Sequence, residues 1–512
     1  MVRTIEEGVD LGFRGKPRNH RTRHRVRTPE EKVQLAGQYK NECELGRVRC
    51  TGRTPPYGKL FSKFFVSPTY TIPKKRKIGQ PQKWRLIHNL SGHRFGREWS
   101  INAGIDKGEF PITYPSIGTA LHKVFCEAPR GCVVWGRDLK EYYRHLMINP
   151  FYWWSMGTEF EKKYYFDCYC PFGARSMPAI FQRLSDAIRV IMLRRTPVDA
   201  LLGMLDDFLG ITYRNAGESD EVLVERGEQA AQAFDEELVR MGISKQSAKD
   251  SPASFKIVWL GVELDTKMHT ISIPEDKITN TILFYNKEIF EDGKGFRREV
   301  NTRILDGLIG VLCYYSQAWS LGKTLLWPLY VALGEYRKTV DGKPHLLDGM
   351  VELNGDCIDS LTEWYHRLAV CGLSRKFYTC KGRNMVTVIE LWWRRRSGMY
   401  VDRHLVRLVT PWKEFTVPVD QMLEARSKML QVLASAIDLL HQFFESFVGK
   451  CGEVIEVRTN VARFERYIRK QCYPKGLNRE CYIRSVAIQR LLEGPEEGNR
   501  HPARELKAYY IY

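Results

Sequence analysis

Two adjacent carboxylates, Asp206 and Asp207, stand between the apolar pairs Leu201-Leu202 and Phe208-Leu209. That pattern predicts a β-hairpin with both acids at its tip. Asp pairs are also ordinary turn residues, so the pair alone decides nothing. A third acid, Asp138, ends the apolar run Cys132-Val133-Val134-Trp135-Gly136, which reads as a buried strand delivering a carboxylate to a sheet edge. Neighbouring carboxylates repel unless a cation sits between them. Three hard oxygen donors suit Mg²⁺, which favours a few carboxylates together with substrate phosphates over a closed protein cage. Asp206 follows Asp138 by 68 residues, a spacing that leaves their proximity open.

The elements that must position these acids are short apolar runs punctuated by Gly and Pro, beginning near residue 60. VVWGRDL, LLGMLDDFLGITY and FKIVWLGVEL read as strands, while the stretch after Pro178 and residues 221–242 read as helices. Strands and helices alternating without a βαβ rhythm indicate an α+β domain. Residues 275–340 read as helices, 343–356 as a connection. A second mixed region follows, with strands in MVTVIELWW, MYVDRHLVRLV and VIEVRT, a helix over about 419–447 and a final helix. No internal repeat of fixed period is present.

Length and composition bound the rest. A chain of 512 residues is too long for one typical core, and 43% hydrophobic residues with 12% aromatics exclude a mostly disordered protein. The net charge of +19 points to a polyanionic partner, nucleic acid first and an anionic membrane surface second. Residues 14–27 carry seven Arg or Lys and no acid, which reads as a solvated, flexible arm or a localisation patch. The thirteen cysteines are scattered from Cys43 to Cys481 without a CxxC pair, so reduced thiols in an intracellular compartment, cytoplasmic or nuclear, are expected. There is no signal-peptide run and no apolar stretch long enough to span a bilayer; a soluble protein without a membrane partner is expected.

VVWGRDLKEYYRHLMI, PFGARSMPAIFQ, MLDDFLGI and WLGVELDT occur in that order. Together they resemble the palm of reverse transcriptases, with its strand ending in Asp, its Pro-Phe-Gly…Pro…Phe-Gln segment, its Asp-Asp hairpin and its later Leu-Gly strand. The likeness spans about residues 66–340 and looks closest to gypsy-type and DIRS-like retrotransposon polymerases. It implies a right-hand fold of fingers, palm and thumb. It also implies RNA-directed DNA polymerase activity on a template–primer with deoxynucleoside triphosphates, and two Mg²⁺ ions (Mn²⁺ able to substitute) on Asp138, Asp206 and Asp207. Upstream, TIPKKRKIGQPQKWRLIHNLS resembles the fingers hairpin, where Lys74 or Lys75 and Arg85 would meet the triphosphate. By the same resemblance Tyr143 abuts the sugar and excludes a 2′-hydroxyl, while Phe172 and Gly173 support template and nucleotide. One departure is Met204-Leu205 before the Asp pair, where the family usually has a tyrosine.

Residues 383–492 resemble a worn ribonuclease H domain. Its acids would fall at Glu390 and Glu424, but Asn460 stands where a catalytic Asp is expected, and no final Asp is evident. An amide cannot supply the charge that two metals require, so loss of ribonuclease activity is expected. The expected domains are an arm over 1–50, fingers and palm over 51–270, a helical thumb over 271–345 and the RNase H-like α/β domain over 346–512. Two other readings stand beside this one. A domesticated nucleic-acid-binding protein could keep the fold without catalysis, and an RNA-dependent RNA polymerase is disfavoured by the bulk of Tyr143.

Overall fold

Near-continuous apolar runs along Cys132–Asp138 and Asp207–Tyr213 make both segments strands, and both are buried over most of their length. They pair antiparallel at the centre of a four-stranded sheet whose order is Ser251–Ser254, Cys132–Asp138, Asp207–Tyr213, Ala200–Met204. Trp135 stands directly across from Gly210 in this register. A Cβ at Gly210 would lie 2.1 Å from the indole, so the glycine makes room for Trp135 to lie over the neighbouring strand. Helices Met177–Arg195 and Asp220–Arg240 pack on this sheet. Phe234 of the second meets Trp135 edge-on at 5.4 Å. Burying such aromatics contributes about 2–3 kcal/mol each.

The structure, a computed structural model, describes the chain except residues 1, 22–26, 74–83, 93–96, 292–294, 320, 341–342, 377–385, 397–402, 410–413, 420–424, 448–453, 460–463, 465–485, 487, 489–504 and 511–512. It divides into two compact units, Met1–Trp259 and Leu260–Tyr512. Among the described residues no helix is long and apolar enough to cross a membrane.

A second sheet in the first unit has the order His20–Arg21, Phe65–Val66, Gly157–Phe160, Lys163–Asp167, Val48–Gly52. Helix Pro29–Glu44 lies on it. Its start is dictated locally: Thr28 and Glu31 form a capping box and Pro29 takes the first helical position. Its Leu35 and Tyr39 pack with Val48, Phe160 and Tyr165.

The N-terminal segment corrects one expectation. The described residues 14–21 do not form a detached arm, because Val9, Leu11 and Phe13, alternating as in a strand, enter the main core immediately before them. Two of the described arginines find partners on the fold. Arg21 makes two hydrogen bonds to Glu159 at 2.7 and 2.6 Å, and Arg27 donates to the Thr69 carbonyl at 3.0 Å.

In the second unit, helices Thr302–Tyr315, Gly322–Leu325, Trp327–Gly334 and Gly355–His366 form a packed layer. The Gly355–His366 helix joins it through Trp364, which meets Trp319 edge-on at 4.8 Å. The polar stretch read as a connection instead contains strands Lys343–Leu346 and Met350–Glu352, each paired antiparallel with an earlier strand. The last sheet has the order Glu414–Val419, Arg403–Val409, Val386–Arg396, Val454–Thr459, Glu505–Tyr510. The first three strands are antiparallel, and the last two run parallel to Val386–Arg396. Helix Ala425–Phe447 packs against the antiparallel side.

Candidate active site

The antiparallel register sets Asp207 directly opposite Asp138. Asp207 also pairs with Met204 on its other side, so Leu205 and Asp206 are the two residues of the hairpin turn. The three acids predicted from sequence therefore meet at one end of the central sheet.

Leu205 holds a positive φ of 54°, a conformation that costs a bulky L-residue about 1–2 kcal/mol. Helix Met177–Arg195 stabilises it with two side chains. Gln182 accepts from the Leu205 amide at 3.0 Å and donates to the Gly203 carbonyl at 2.9 Å. Ser185 donates to the Leu205 carbonyl at 2.6 Å and lies 2.9 Å from the Tyr142 hydroxyl. The strand side contributes one more restraint, the Leu139 amide on the Asp206 carbonyl at 2.8 Å. The turn that carries Asp206 is thus clamped from both flanks.

Burial, then the charges of Asp138 and Asp206, push the Asp207 carboxyl up to about 7, with Lys249 pulling it down. The Lys249 ammonium sits 2.8 Å from the Asp138 carboxylate. Its loop is fixed from below. Arg137 donates to Asp235 at 2.9 Å, and Lys245 lies 2.5 Å from Asp235 and 2.7 Å from Asp250. Arg137 and Asp250 are the sequence neighbours of Asp138 and Lys249, and the Gln246 amide donates to the Asp138 carbonyl at 2.7 Å.

Tyr143 is buried against Phe172 and Phe181, with ring centroids 4.8 and 4.5 Å away. Its phenol pKa is raised by burial first, then by Tyr114 and Asp206, which places it beside the acidic turn. Phe172 is 42% exposed, so one face of this aromatic pair is open. Gly173 has a φ of +128°, and a Cβ there would lie 2.1 Å from the His88 carbonyl oxygen. The glycine thereby lets the Phe172 loop close on the end of strand Trp84–His88. Asn102 locks the same loop, donating to the Gly173 carbonyl at 2.9 Å and accepting from the Arg175 amide at 2.8 Å. Gly173→Ala should therefore destabilise the first unit by about 2–4 kcal/mol. Equilibrium urea unfolding of the variant and the parent checks this; equal midpoints would mean the loop can shift without cost.

Arg85 is in strand Trp84–His88, opposite Ile72 of strand Thr69–Pro73, which gives the basic hairpin its two expected arms. Lys74 and Lys75 lie outside the described residues, as do Glu424 and Asn460. Glu390 lies in strand Val386–Arg396, opposite Val409 on one side and Arg458 on the other. Sequence reasoning missed Gln182, Ser185, Lys249 and the four-charge cluster. Gln182 and Arg137 left a trace there, within PFGARSMPAIFQ and VVWGRDLKEYYRHLMI.

No family model matches the chain, and no curated protein matches it significantly. Its backbone is similar to solved structures of a foamy viral protease-reverse transcriptase. One, described as the dRH form in complex with double-stranded DNA, aligns with a TM-score of 0.52 at 13% identity, covering 98% of this chain and 73% of that one. Another, in complex with an RNA/DNA hybrid, aligns with a TM-score of 0.50 at 13% identity, covering 98% of this chain and 56% of that one. At this identity the likeness is one of fold, and the chain has a reverse-transcriptase-like α+β polymerase fold.

Proposed function

We propose that this chain is an RNA-directed DNA polymerase that extends a primer along a nucleic-acid template. The observation that carries the reading is the register that sets Asp207 opposite Asp138 with Asp206 on the turn between strands. Among the described residues no three acidic, imidazole or thiol groups converge into a ready-made metal cage. That is compatible with Mg²⁺, which completes its shell with water and substrate phosphates. The donor set fits such an ion: hard oxygens, an Asp207 carboxyl raised by burial and then by the charges of Asp138 and Asp206, and a lysine ammonium already standing against Asp138. Asp138 and Asp207, with Asp206 beside them, would hold the metal, and two Mg²⁺ or Mn²⁺ ions would stabilise charge on the attacking 3′-hydroxyl and the departing pyrophosphate.

The chain's own residues do the positioning. Gln182 and Ser185 hold the Asp206 turn in one conformation before substrate arrives, so no reorganisation is needed during reaction. Arg85, with Lys74 or Lys75, neutralises the triphosphate. Tyr143, beside the acidic turn, would exclude a 2′-hydroxyl by the bulk of its ring. The C-terminal sheet supports an RNase H-like reading through its strand order, and Asn460 in place of an acid supports a scaffold rather than a nuclease.

Primer extension on RNA and DNA templates, with deoxy- and ribonucleotides, tests the proposal. Extension with deoxynucleotides on RNA is the expected result. Template binding without extension would leave a nucleic-acid-binding protein of the same fold, and preferential use of ribonucleotides would make it an RNA polymerase. Tyr143→Ala should raise the ratio of ribonucleotide to deoxynucleotide use by about tenfold or more. An unchanged ratio would reduce Tyr143 to a packing residue.

A further inference from the structure

Arg144 follows the buried Tyr143 directly in sequence, yet its guanidinium is turned inward, with 14% of the side chain exposed. It lies 2.5 Å from the Asp167 carboxylate, donates to the Tyr169 carbonyl at 3.0 Å and stands 3.4 Å from Glu42. Asp167 is 1% exposed, and its other oxygen is 3.3 Å from Nδ1 of the buried His88. Burial lowers the His88 pKa by more than Asp167 raises it, and the Arg144 charge lowers it further. The imidazole is therefore neutral, and Arg144 is the cation that balances Asp167. Glu42 sits in the last turn of helix Pro29–Glu44, where the helix dipole disfavours an anion. Burial raises its pKa, against the pull of Arg144 and Arg47. Buried ion pairs add little stability over apolar packing of the same volume, which leaves the geometry they fix as their contribution.

What this cluster fixes is the loop that carries Phe172. Arg144 holds the start of the loop at the Tyr169 carbonyl. The loop ends at Gly173, which closes on the carbonyl of His88, the residue whose side chain faces Asp167. Tyr143, the other half of the aromatic contact, is the chain neighbour of Arg144. Both rings of the Tyr143–Phe172 pair, 4.8 Å apart, thus depend on one guanidinium. Its planar fork sends donors in fixed directions, which the point charge of a lysine does not reproduce. We infer that Arg144 is a positioning residue for nucleotide selection, setting through Asp167, Tyr169 and His88 the gap between Tyr143 and the Phe172 loop. The role in nucleotide selection rests on the polymerase reading; the hold on the loop does not.

Two variants of the full chain test this. Arg144→Lys keeps a counter-ion for Asp167 and loses the fork. Arg144→Met/Asp167→Leu replaces the pair with apolar groups, so neither charge is left buried alone, and Glu42 keeps Arg47 at 3.8 Å. In primer extension both should raise KM for deoxynucleotide about tenfold, with kcat within about threefold of the parent. Both should also raise the ratio of ribonucleotide to deoxynucleotide use about threefold. In the substrate-free chain, hydrogen exchange should quicken about tenfold at the amides of 169–173 and stay parental in strands Cys132–Asp138 and Asp207–Tyr213. Parental KM and ratio with only a lower unfolding midpoint would make the cluster purely structural and overturn the proposal. A fall in kcat at unchanged KM would overturn it too, by placing the effect on the chemical step. A parent that extends no primer sinks the polymerase reading, and exchange alone then decides. Faster exchange at 169–173 upholds the hold on the loop, and an unchanged rate removes it.

Discussion

Asp138→Asn and Asp207→Asn should each reduce primer extension by about a thousandfold or more while leaving template affinity nearly unchanged. The amide keeps the shape of the carboxylate and removes the charge that a divalent cation needs, and neither residue contributes to a basic nucleic-acid surface. Extension at near parental rates by either variant would remove these residues from the catalytic assignment. Asp207→Asn carries a second signature that needs no substrate. Its carboxyl titrates near 7 in the folded chain, raised by burial and then by Asp138 and Asp206, against about 3.9 when unfolded. Between those values the folded chain holds a proton that the unfolded chain has released. Stability of the metal-free protein therefore falls as pH rises from about 4 to about 7 and is level above that. In Asp207→Asn this fall should be absent, so above about pH 7 the variant should be the more stable protein when chelator is present. Urea unfolding across that range is the measurement, and a parallel pH dependence in both proteins would show that another group titrates.

What could be read from residues alone follows the physics of each signal. Cys132–Asp138 and Asp207–Tyr213 announce themselves because buried strands need uninterrupted apolar residues, and their acids stand out at the ends. Their pairing is set by complementarity invisible in either segment alone, the Trp135 indole filling the space that Gly210 leaves. Gln182 was quoted within a motif but reads as an ordinary polar helix residue. Its two hydrogen bonds to the hairpin exist only because the helix packs there, and the positive φ at Leu205 that they offset has no sequence marker in a leucine. The reading of the N-terminus erred because the basic run at 14–27 outweighed the three alternating apolar residues before it. Burial of Val9, Leu11 and Phe13 is the stronger term, since each fully buried side chain is worth about 1.5–3 kcal/mol, whereas a solvated charge costs nothing to leave exposed. The chain likewise hides Arg137, Asp235, Lys245 and Asp250, which look like unrelated surface charges until the fold brings them within ion-pair distance.

That cluster predicts the largest effect on stability. The Arg137 side chain is 7% exposed and donates to Asp235, to the Gly136 carbonyl at 2.9 Å and to the Ser251 carbonyl at 3.1 Å. Burial opposes the Lys245 charge, but its hydrogen bonds to Asp235 and Asp250 outweigh that and raise its pKa. Asp235 is thus the anion shared by two cations. Asp235→Ala leaves Arg137 buried with only the more distant Asp250, at 3.7 Å, as counter-ion. Breaking a buried pair from one side costs on the order of 3–5 kcal/mol, a fall of roughly 10 °C in the first unit's Tm. Removing both partners is different, because apolar replacement of a buried pair is often neutral. Arg137→Met/Asp235→Leu should therefore regain most of the lost stability, with Lys245 and Asp250 still paired to each other. Activity should not return with it. Without the Arg137 contacts to Asp235 and the Ser251 carbonyl, the 244–251 loop loses the restraint that brings Lys249 to Asp138, so the double variant should be stable and slow. Calorimetry and primer extension on the two variants decide the matter. A double variant that recovers stability and full extension would make the cluster a purely structural element, while one as unstable as Asp235→Ala would show that the pair's geometry, and not its uncompensated charge, carries the energy.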